Sequence, residues 1–318
     1  MDNYRQDGDF VLLGEDGAPF LDPLKPKAYR VSGKCWVNNH AHVLRGRDGI
    51  CDSDYLCFAL NWVDYNGAVT GTTRLKLPQG TMHLLKIPAP GIDQQREIAA
   101  HLKAQLATVE EARQAAQTQV DELTQLANAI VRDSIAHPDT ETCLLGEVLD
   151  EVKRGIGASW ADYPVLGATR AGLALAKEPV GKHPERYKPV RVGTVFYNPM
   201  RILIGSIAMV DEADAPGITS PDYVVLRGRE GVVDSRWFYY WLRSPLGEQC
   251  IASLARGAVR ERMLFNRLAE GEIELPPYPV QQAASRALAE LRPMKAKIEA
   301  QLREIELLPS RLLAQAFQ

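Results

Sequence analysis

The chain has 318 residues, 46% of them hydrophobic and 24% charged, enough apolar material for two globular cores and too ordinary a charge content for wholesale disorder. No run of 18 or more apolar residues occurs, which excludes a membrane-spanning helix of the usual kind; the start Asp2-Asn3-Tyr4-Arg5 lacks an apolar signal region, so a cytoplasmic protein is expected. The formal net charge of −3 excludes a uniformly basic nucleic-acid binder, so phosphate contacts would have to come from a local cluster of Lys and Arg or be shared with a partner.

In chain order, residues 1–91 read as a strand-rich α+β segment. It contains His40-Ala41-His42, the nearest approach to a metal motif, but no third ligand stands at a recognisable spacing. Cys35, Cys51, Cys57, Cys143 and Cys250 are odd in number and never form a C-x-x-C pair, which argues for reduced cysteines rather than zinc or disulfides. Ile87-Pro88-Ala89-Pro90 then stops the segment, and a long helix is expected over 92–138. Ile98, Leu102, Leu106, Val109, Ala116, Val120, Leu123, Ala127 and Ile130 recur mostly every three or four residues, the seam of a coiled coil.

Residues 139–279 read as a second α+β segment. Val192–Val210 is rich in β-branched and aromatic residues and broken by Asn198-Pro199, which predicts two strands and a turn. Ser235–Ser244 predicts a short aromatic helix that fills a core. A second long helix is expected over 280–318, with Leu288, Leu291, Ile298, Leu302, Ile305, Leu308 and Leu312 in its seam and an interruption or kink at Pro293 and Pro309. Long helices with narrow apolar stripes need a partner, and the economical partner for each is the other.

The two halves repeat. Val43-Leu44-Arg45-Gly46-Arg47-Asp48-Gly49 returns 182 positions later as Val225-Leu226-Arg227-Gly228-Arg229-Glu230-Gly231. Asp52-Ser53 matches Asp234-Ser235, Gly71-Thr72-Thr73-Arg74 matches Gly257-Ala258-Val259-Arg260, and Ile87-Pro88 with Gln94-Gln95 matches Leu275-Pro276 with Gln281-Gln282. Leu126–Ile135 matches Leu308–Phe317. Gly14 aligns near Asn198, so Cys143 to about Lys182 has no counterpart, and the first domain reads as short by roughly forty to fifty residues on this repeat alignment.

Two recognition segments, each followed by a long helix, resemble the layout of type I restriction–modification specificity subunits. The strings Leu12–Gly17 and Ser32–His42 resemble a recurrent block of their target-recognition domains, and Ile87–Pro90 with Gln94-Gln95-Arg96-Glu97-Ile98 resembles their domain-to-helix junction. The tail Leu307–Phe317 resembles the end of their second helix. The resemblance implies an α+β protein with two target-recognition domains (1–91, partial, and 139–279) and two long helices (92–138 and 280–318) packed as an antiparallel coiled coil. It also implies a non-catalytic reader of double-stranded DNA with a bipartite target, for which the helices act as a ruler. The implied partners are methyltransferase subunits, two of them, and restriction or translocase subunits. No cofactor is expected in this chain; S-adenosylmethionine, ATP and Mg belong on those partners.

Base reading falls chiefly to Arg, Lys, Asn and Gln. Arg74 and Lys76, with Arg260 and Arg262 at equivalent places after Gly71 and Gly257, are the leading DNA contacts; solvated surface charge is the plain alternative. Arg170, in a Gly-bracketed loop, follows, and Asn38 and His40 divide between base contact and turn formation. Arg45, Arg47, Arg227 and Arg229 read as turn chemistry with phosphate contact as the second option. Asn198-Pro199-Met200-Arg201 lacks the second proline and aromatic of adenine-methyltransferase motifs, and no phosphate loop is present, so neither methyl transfer nor ATP-driven translocation is expected here. A coiled-coil adaptor whose recognition domains bind only protein is the competing reading, and pairing of two copies around a symmetric target is a further option.

Overall fold

The computed structural model describes residues 6–177, 179–255 and 262–318. They fall into two units, the first comprising the chain up to Gln119 together with Lys297–Gln318, the second comprising Val120–Ala296.

In the first unit, β1 (Asp9–Gly14), β2 (Ala28–Ser32) and β3 (Ala41–Leu44) form an antiparallel sheet in the order β2-β1-β3. β1 reads DFVLLG and is the central strand, so its apolar run is buried on both faces. Helix α1 (Ser53–Trp62) starts at Asp52, whose carboxylate accepts from the backbone N–H groups of Asp54 and Tyr55 at 2.9 and 3.0 Å. One face of α1 lays Cys57 and Leu60 over Val11 and Leu13 with Tyr65 and Phe20. After a short helix α2 (Gln79–Met82), the prolines release the chain into α3 (Ile92–Ile135), 44 residues long.

The second unit continues from the end of α3 through β4 (Glu141–Leu144), α4 (Leu145–Val148) and β5 (Leu149–Glu151). A hairpin of β6 (Leu166–Thr169) and β7 (Gly172–Leu175) follows, then β8 (Lys188–Val190), β9 (Thr194–Tyr197), β10 (Ile207–Val210), β11 (Gly217–Thr219) and β12 (Val224–Gly228). Helices α5 (Ser235–Arg243), α6 (Pro245–Leu254) and α7 (Phe265–Leu268) precede β13 (Glu272–Leu275), which pairs with β4, and the last helix α8 (Tyr278–Phe317). The main sheet runs β10-β9-β12-β5. β9 and β10 are buried at every position because both faces are covered. Val195, Tyr197, Ile207 and Met209 pack with Trp237 and Phe238 of α5, whereas Phe196, Ala208 and Val210 pack with Leu166, Ala168 and Val190. The aromatic helix at Ser235 is thus a core element.

The repeat is a repeat of pairing as well as of sequence. Leu12 stands opposite Val43 and Tyr29, and Phe196 stands opposite Val225 and Ala208, so the order β2-β1-β3 corresponds to β10-β9-β12 residue by residue. Among the described residues of the first unit, no strand corresponds to β5. The glycine of each Arg-Gly-Arg string is forced: a Cβ on Gly46 would lie 2.1 Å from the Cys51 carbonyl oxygen, and one on Gly228 would lie 2.4 Å from that of Val233.

Each domain is also mounted on its long helix by the same joint. Gln95 lies 1% exposed at the start of α3; its Oε1 accepts from the Asp52 N–H at 3.0 Å, and its Nε2 donates to the carbonyls of Ile50 and Pro90 at 2.9 and 2.7 Å. Gln281, fully buried, accepts from the Asp234 N–H at 2.9 Å and donates to Val232 and Pro276 at 2.9 and 2.7 Å. The geometry therefore equates Gln95 with Gln281, one position away from the match of Gln94-Gln95 to Gln281-Gln282 that the strings suggest.

Within the first unit the start of α3 meets the end of α8, where Ala99 and Leu102 pack with Tyr55, Ala59 and Phe317. Within the second, the end of α3 meets the start of α8, where Ala127 and Val131 pack with Ala284, Leu288 and Leu291. The helices run antiparallel in both places. The expected interruptions at Pro293 and Pro309 do not occur: α8 is one helix from Tyr278 to Phe317. A proline inside a helix costs about 3 kcal/mol. Buried Leu288 and Leu291 before the first proline, and Ile305 and Phe317 on either side of the second, supply packing that outweighs it.

Candidate nucleic-acid interface

In the first unit the structure gathers Asn38, His40, Arg74 and Lys76 at one loop junction, although they are up to 38 positions apart. The turn after β1 is clamped by backbone bonds: Glu15 N–H donates to His40 O at 2.9 Å, Gly17 N–H to Leu75 O at 2.8 Å and Leu77 N–H to Glu15 O at 2.7 Å. Arg74 and His40 both reach Asp16, at 2.7 and 3.0 Å, and Lys76 reaches Glu15 at 3.1 Å. Asn38 accepts from the His40 N–H at 3.0 Å, the turn role. Its neighbour His42 bonds the Leu77 carbonyl, so the two imidazoles of the His-Ala-His string go to different partners. Gly71 does not loosen its loop. Its φ is +95° and a Cβ there would lie 2.5 Å from the Arg74 carbonyl oxygen, so it fixes a tight turn that aims Arg74.

The leading cations of this unit thus carry carboxylates. Burial alone would raise Asp16, but the hydrogen bonds and charges of Arg74 and His40 overturn that and hold it below the usual aspartate range. Arg74 and Lys76 stay more than half exposed, so a phosphate can compete for them. Asp16→Asn is expected to tighten sequence-independent DNA binding and to steepen the dependence of log K on log salt by about one unit, because one basic group is freed for phosphate. Fluorescence titrations of a duplex at several salt concentrations measure both; an unchanged slope would remove Arg74 from the interface.

In the second unit Arg170 lies exposed at the tip of the β6–β7 hairpin. Its backbone carbonyl accepts from Arg243 Nη2 at 2.7 Å, and Arg243 Nη1 donates to Gly205 O and Ile207 O at 3.2 and 2.9 Å, which ties the hairpin to the loop between β9 and β10. Arg262 is exposed and pairs with Asp222 at 3.1 Å, and the next residue, Met263, is buried and donates its N–H to Pro199 O of the same loop at 3.0 Å. Arg170 and Arg262 therefore flank one loop, 198–206, to which exposed Arg201 belongs. Arg260 lies outside the described residues. Of the Arg-Gly-Arg strings, Arg45 stacks 4.3 Å over the Phe10 ring and Arg229 pairs with Asp150 at 3.4 Å.

Arg201 and Arg243 were not singled out by the sequence reading. Asn198–Arg201 looked like a failed methyltransferase motif, and the charged flank of an apolar run gave the only hint. Among the described residues no group of His, Cys, Asp and Glu is arranged to hold a metal, and no helix is long and apolar enough to cross a membrane. What the two loop clusters offer is cationic and amide groups on fixed turns.

Comparison with known structures bears first on the fold. A chain from a structural study of complex assembly and conformational transition of the type I R–M system aligns over 99% of this chain and 83% of its own length, with a TM-score of 0.64 and 18% identity. The HsdS subunit of Thermoanaerobacter tengcongensis aligns over 99% of this chain and 81% of its own length (TM-score 0.45, 18% identity), and the S subunit of M. genitalium over 100% and 85% (TM-score 0.48, 12% identity). In sequence, residues 2–118 match the family described as the type I restriction modification DNA specificity domain. A Haemophilus influenzae protein named as a type I restriction enzyme specificity subunit is 31% identical over 114 residues, which are 35% of this chain and 28% of that protein. Residues 2–118 thus match that specificity-domain family, and the chain as a whole shares the fold of the first of these structures while spanning 28% of the length of the curated relative.

Proposed function

We propose that this chain is the non-catalytic DNA-reading subunit of a type I restriction–modification complex, each unit reading one half of a bipartite target. The observation that carries the reading is duplication with retained mounting. Both halves keep the same sheet register and the same buried glutamine joint, and each presents basic residues on a fixed loop beyond that sheet. In this reading the long helices carry two methyltransferase subunits, which hold S-adenosylmethionine and extrude the adenine. ATP and Mg serve restriction or translocase subunits, and the complex works in the cytoplasm.

The acidic partners of Arg74 and Lys76, together with the net charge of −3, favour a second reading in which the first unit has lost base contact. The chain is then an adaptor, or one reader that pairs with a second copy around a symmetric target.

The test is a map of methylated adenines in cells carrying this chain and its methyltransferase, against a deletion of this chain. A bipartite asymmetric motif that vanishes in the deletion is the expected result. A palindromic motif would assign reading to one unit in a paired assembly, and identical maps with the methyltransferase expressed would leave the adaptor.

A further inference from the structure

The loop between β9 and β10 holds itself rigid in order to display apolar side chains. Asn198 N–H donates to Ser206 O at 3.2 Å, Arg201 N–H to Asn198 O at 2.9 Å, Gly205 N–H to Ile202 O at 2.9 Å and Ser206 N–H to Arg201 O at 3.1 Å. The Asn198 side chain accepts from the Met200 N–H at 2.9 Å, and Gly205 takes the left-handed φ of +79° that closes the turn. Arg243 binds the neck of the loop through Gly205 O and Ile207 O. Ile202 is sunk in the core at 3% exposure, yet Met200, Leu203 and Ile204 stand 52%, 58% and 63% exposed. A surface loop that only closes a hairpin has no use for three aliphatic side chains in water, and these five internal bonds leave them little room to fold away.

The collar of this apolar tip is cationic. Arg170, Arg201 and Arg262 surround it, all exposed; Asp222, the partner of Arg262, is the carboxylate among them. An aliphatic tip inside a ring of arginines matches an unstacked base step between two phosphate chains, because Leu, Ile and Met are the side chains that enter such steps and arginines neutralise the phosphates on either side.

We propose that Met200, Leu203 and Ile204 form a wedge that enters a base step of the half-site read by the second unit. The proposal rests on the DNA-reading function above. The corresponding loop of the first unit also exposes Leu21 and Leu24, at 50% and 49%, but it opens on Glu15 and Asp16, whose carboxylates hold Lys76, Arg74 and His40 in place of an open arginine collar, so unstacking is expected in the second unit's half-site.

The experiment uses the full chain, with its methyltransferase subunits, and a duplex selected from a random pool by binding to that complex. 2-Aminopurine is placed at each step in turn, and its fluorescence reports unstacking. Besides the positions of the adenines that the methyltransferase subunits extrude, which brighten whether or not the tip enters the duplex, one further step, in one half-site, is expected to brighten several-fold on binding. In the double variant L203S/I204S the brightening disappears and affinity for the selected duplex drops roughly ten- to a hundredfold. Both positions are exposed, so folding is checked simply by an unchanged melting temperature, and L203M/I204L should keep the signal. R170A should weaken binding and flatten the salt dependence yet retain the brightening at saturation. Binding with no bright step beyond the extruded adenines overturns the wedge and leaves DNA reading intact. Recovery of no duplex by a folded complex overturns both. A double variant that loses its methyltransferase subunits while the bright step persists assigns the tip to a protein contact and overturns the wedge.

Discussion

Gln281→Leu is expected to destabilise the second unit by about 3 kcal/mol. The side chain is fully buried and spends its whole amide on three backbone atoms, the Asp234 N–H and the carbonyls of Val232 and Pro276. Leucine fills much the same volume but leaves one donor and two acceptors without that partner, the Pro276 carbonyl buried and the other two partly so, and a buried group so stranded costs about 1–3 kcal/mol. Part of that is offset by the apolar burial leucine gains. The loss spreads locally, because Asp234 caps α5 through the Trp237 N–H and Trp237 is itself fully buried against the Ser134 hydroxyl. Denaturant unfolding followed by tryptophan fluorescence measures the effect. Gln95→Leu should cost a similar amount in the first unit, since its three bonds agree with those of Gln281 to within 0.1 Å. A loss below about 1 kcal/mol in either variant would mean that the joint is not what holds domain to helix.

The second large effect lies in the ion network beside that joint. Asp211, 8% exposed, receives the Arg236 guanidinium at 3.1 and 3.2 Å, and Arg292 of α8 binds Asp214 at 2.6 and 2.8 Å while approaching Asp211 at 3.6 Å. Asp211→Ala would leave Arg236, whose side chain is only 15% exposed, with the exposed Glu212 at 3.5 Å and the Ser285 hydroxyl at 3.4 Å, and should cost about 3 kcal/mol. Asp214→Ala should cost less, because Arg292 is 41% exposed and water screens it. Burial alone would raise the Asp211 pKa, but the Arg236 bonds, the Glu212 N–H and the charge of Arg292 hold it below the ordinary aspartate value. A carboxylate depressed in the folded state stabilises above its unfolded pKa, about 3.9, and that contribution fades as pH falls through the folded value. The wild-type stability advantage over D211A is therefore expected to be flat from neutral pH to about 5 and to shrink only below about 4. An advantage that shrank already between pH 7 and 5 would contradict a depressed carboxylate.

Of the central sheets, β9 and β10 were legible from the β-branched and aromatic run of Val192–Val210 broken at Asn198-Pro199, and the repeat of Val43-Leu44 as Val225-Leu226 returns as pairing in the same register with β1 and β9, which the strings alone did not state. The long helices were legible from their three–four spacing, but not the passage of α8 through Pro293 and Pro309, which depends on packing that no local rule contains. At the candidate interface, the sequence offered Arg74 and Lys76 in one string and Asn38 and His40 in another, and nothing in either string said that the fold brings the two together. Their acidic partner Asp16 is 58 positions from Arg74, and nothing in either string announces it. The apolar tip at Met200, Leu203 and Ile204 was hidden for the opposite reason. Its residues have strand composition, and composition does not say which way a side chain faces.

The glutamine joint has a bearing on how such a chain can change over time. Every atom it grips is main chain: two carbonyls and one amide in each half. Main-chain atoms are the same in all sequences, so the mount is blind to which side chains the recognition loops carry. Substitutions at Arg74, Arg170 or Leu203 leave it untouched, and any domain that ends in the same turn and caps its helix at the same place can be seated on the same post. Stability and specificity thus draw on separate sets of atoms, and the second can drift while the first stands still.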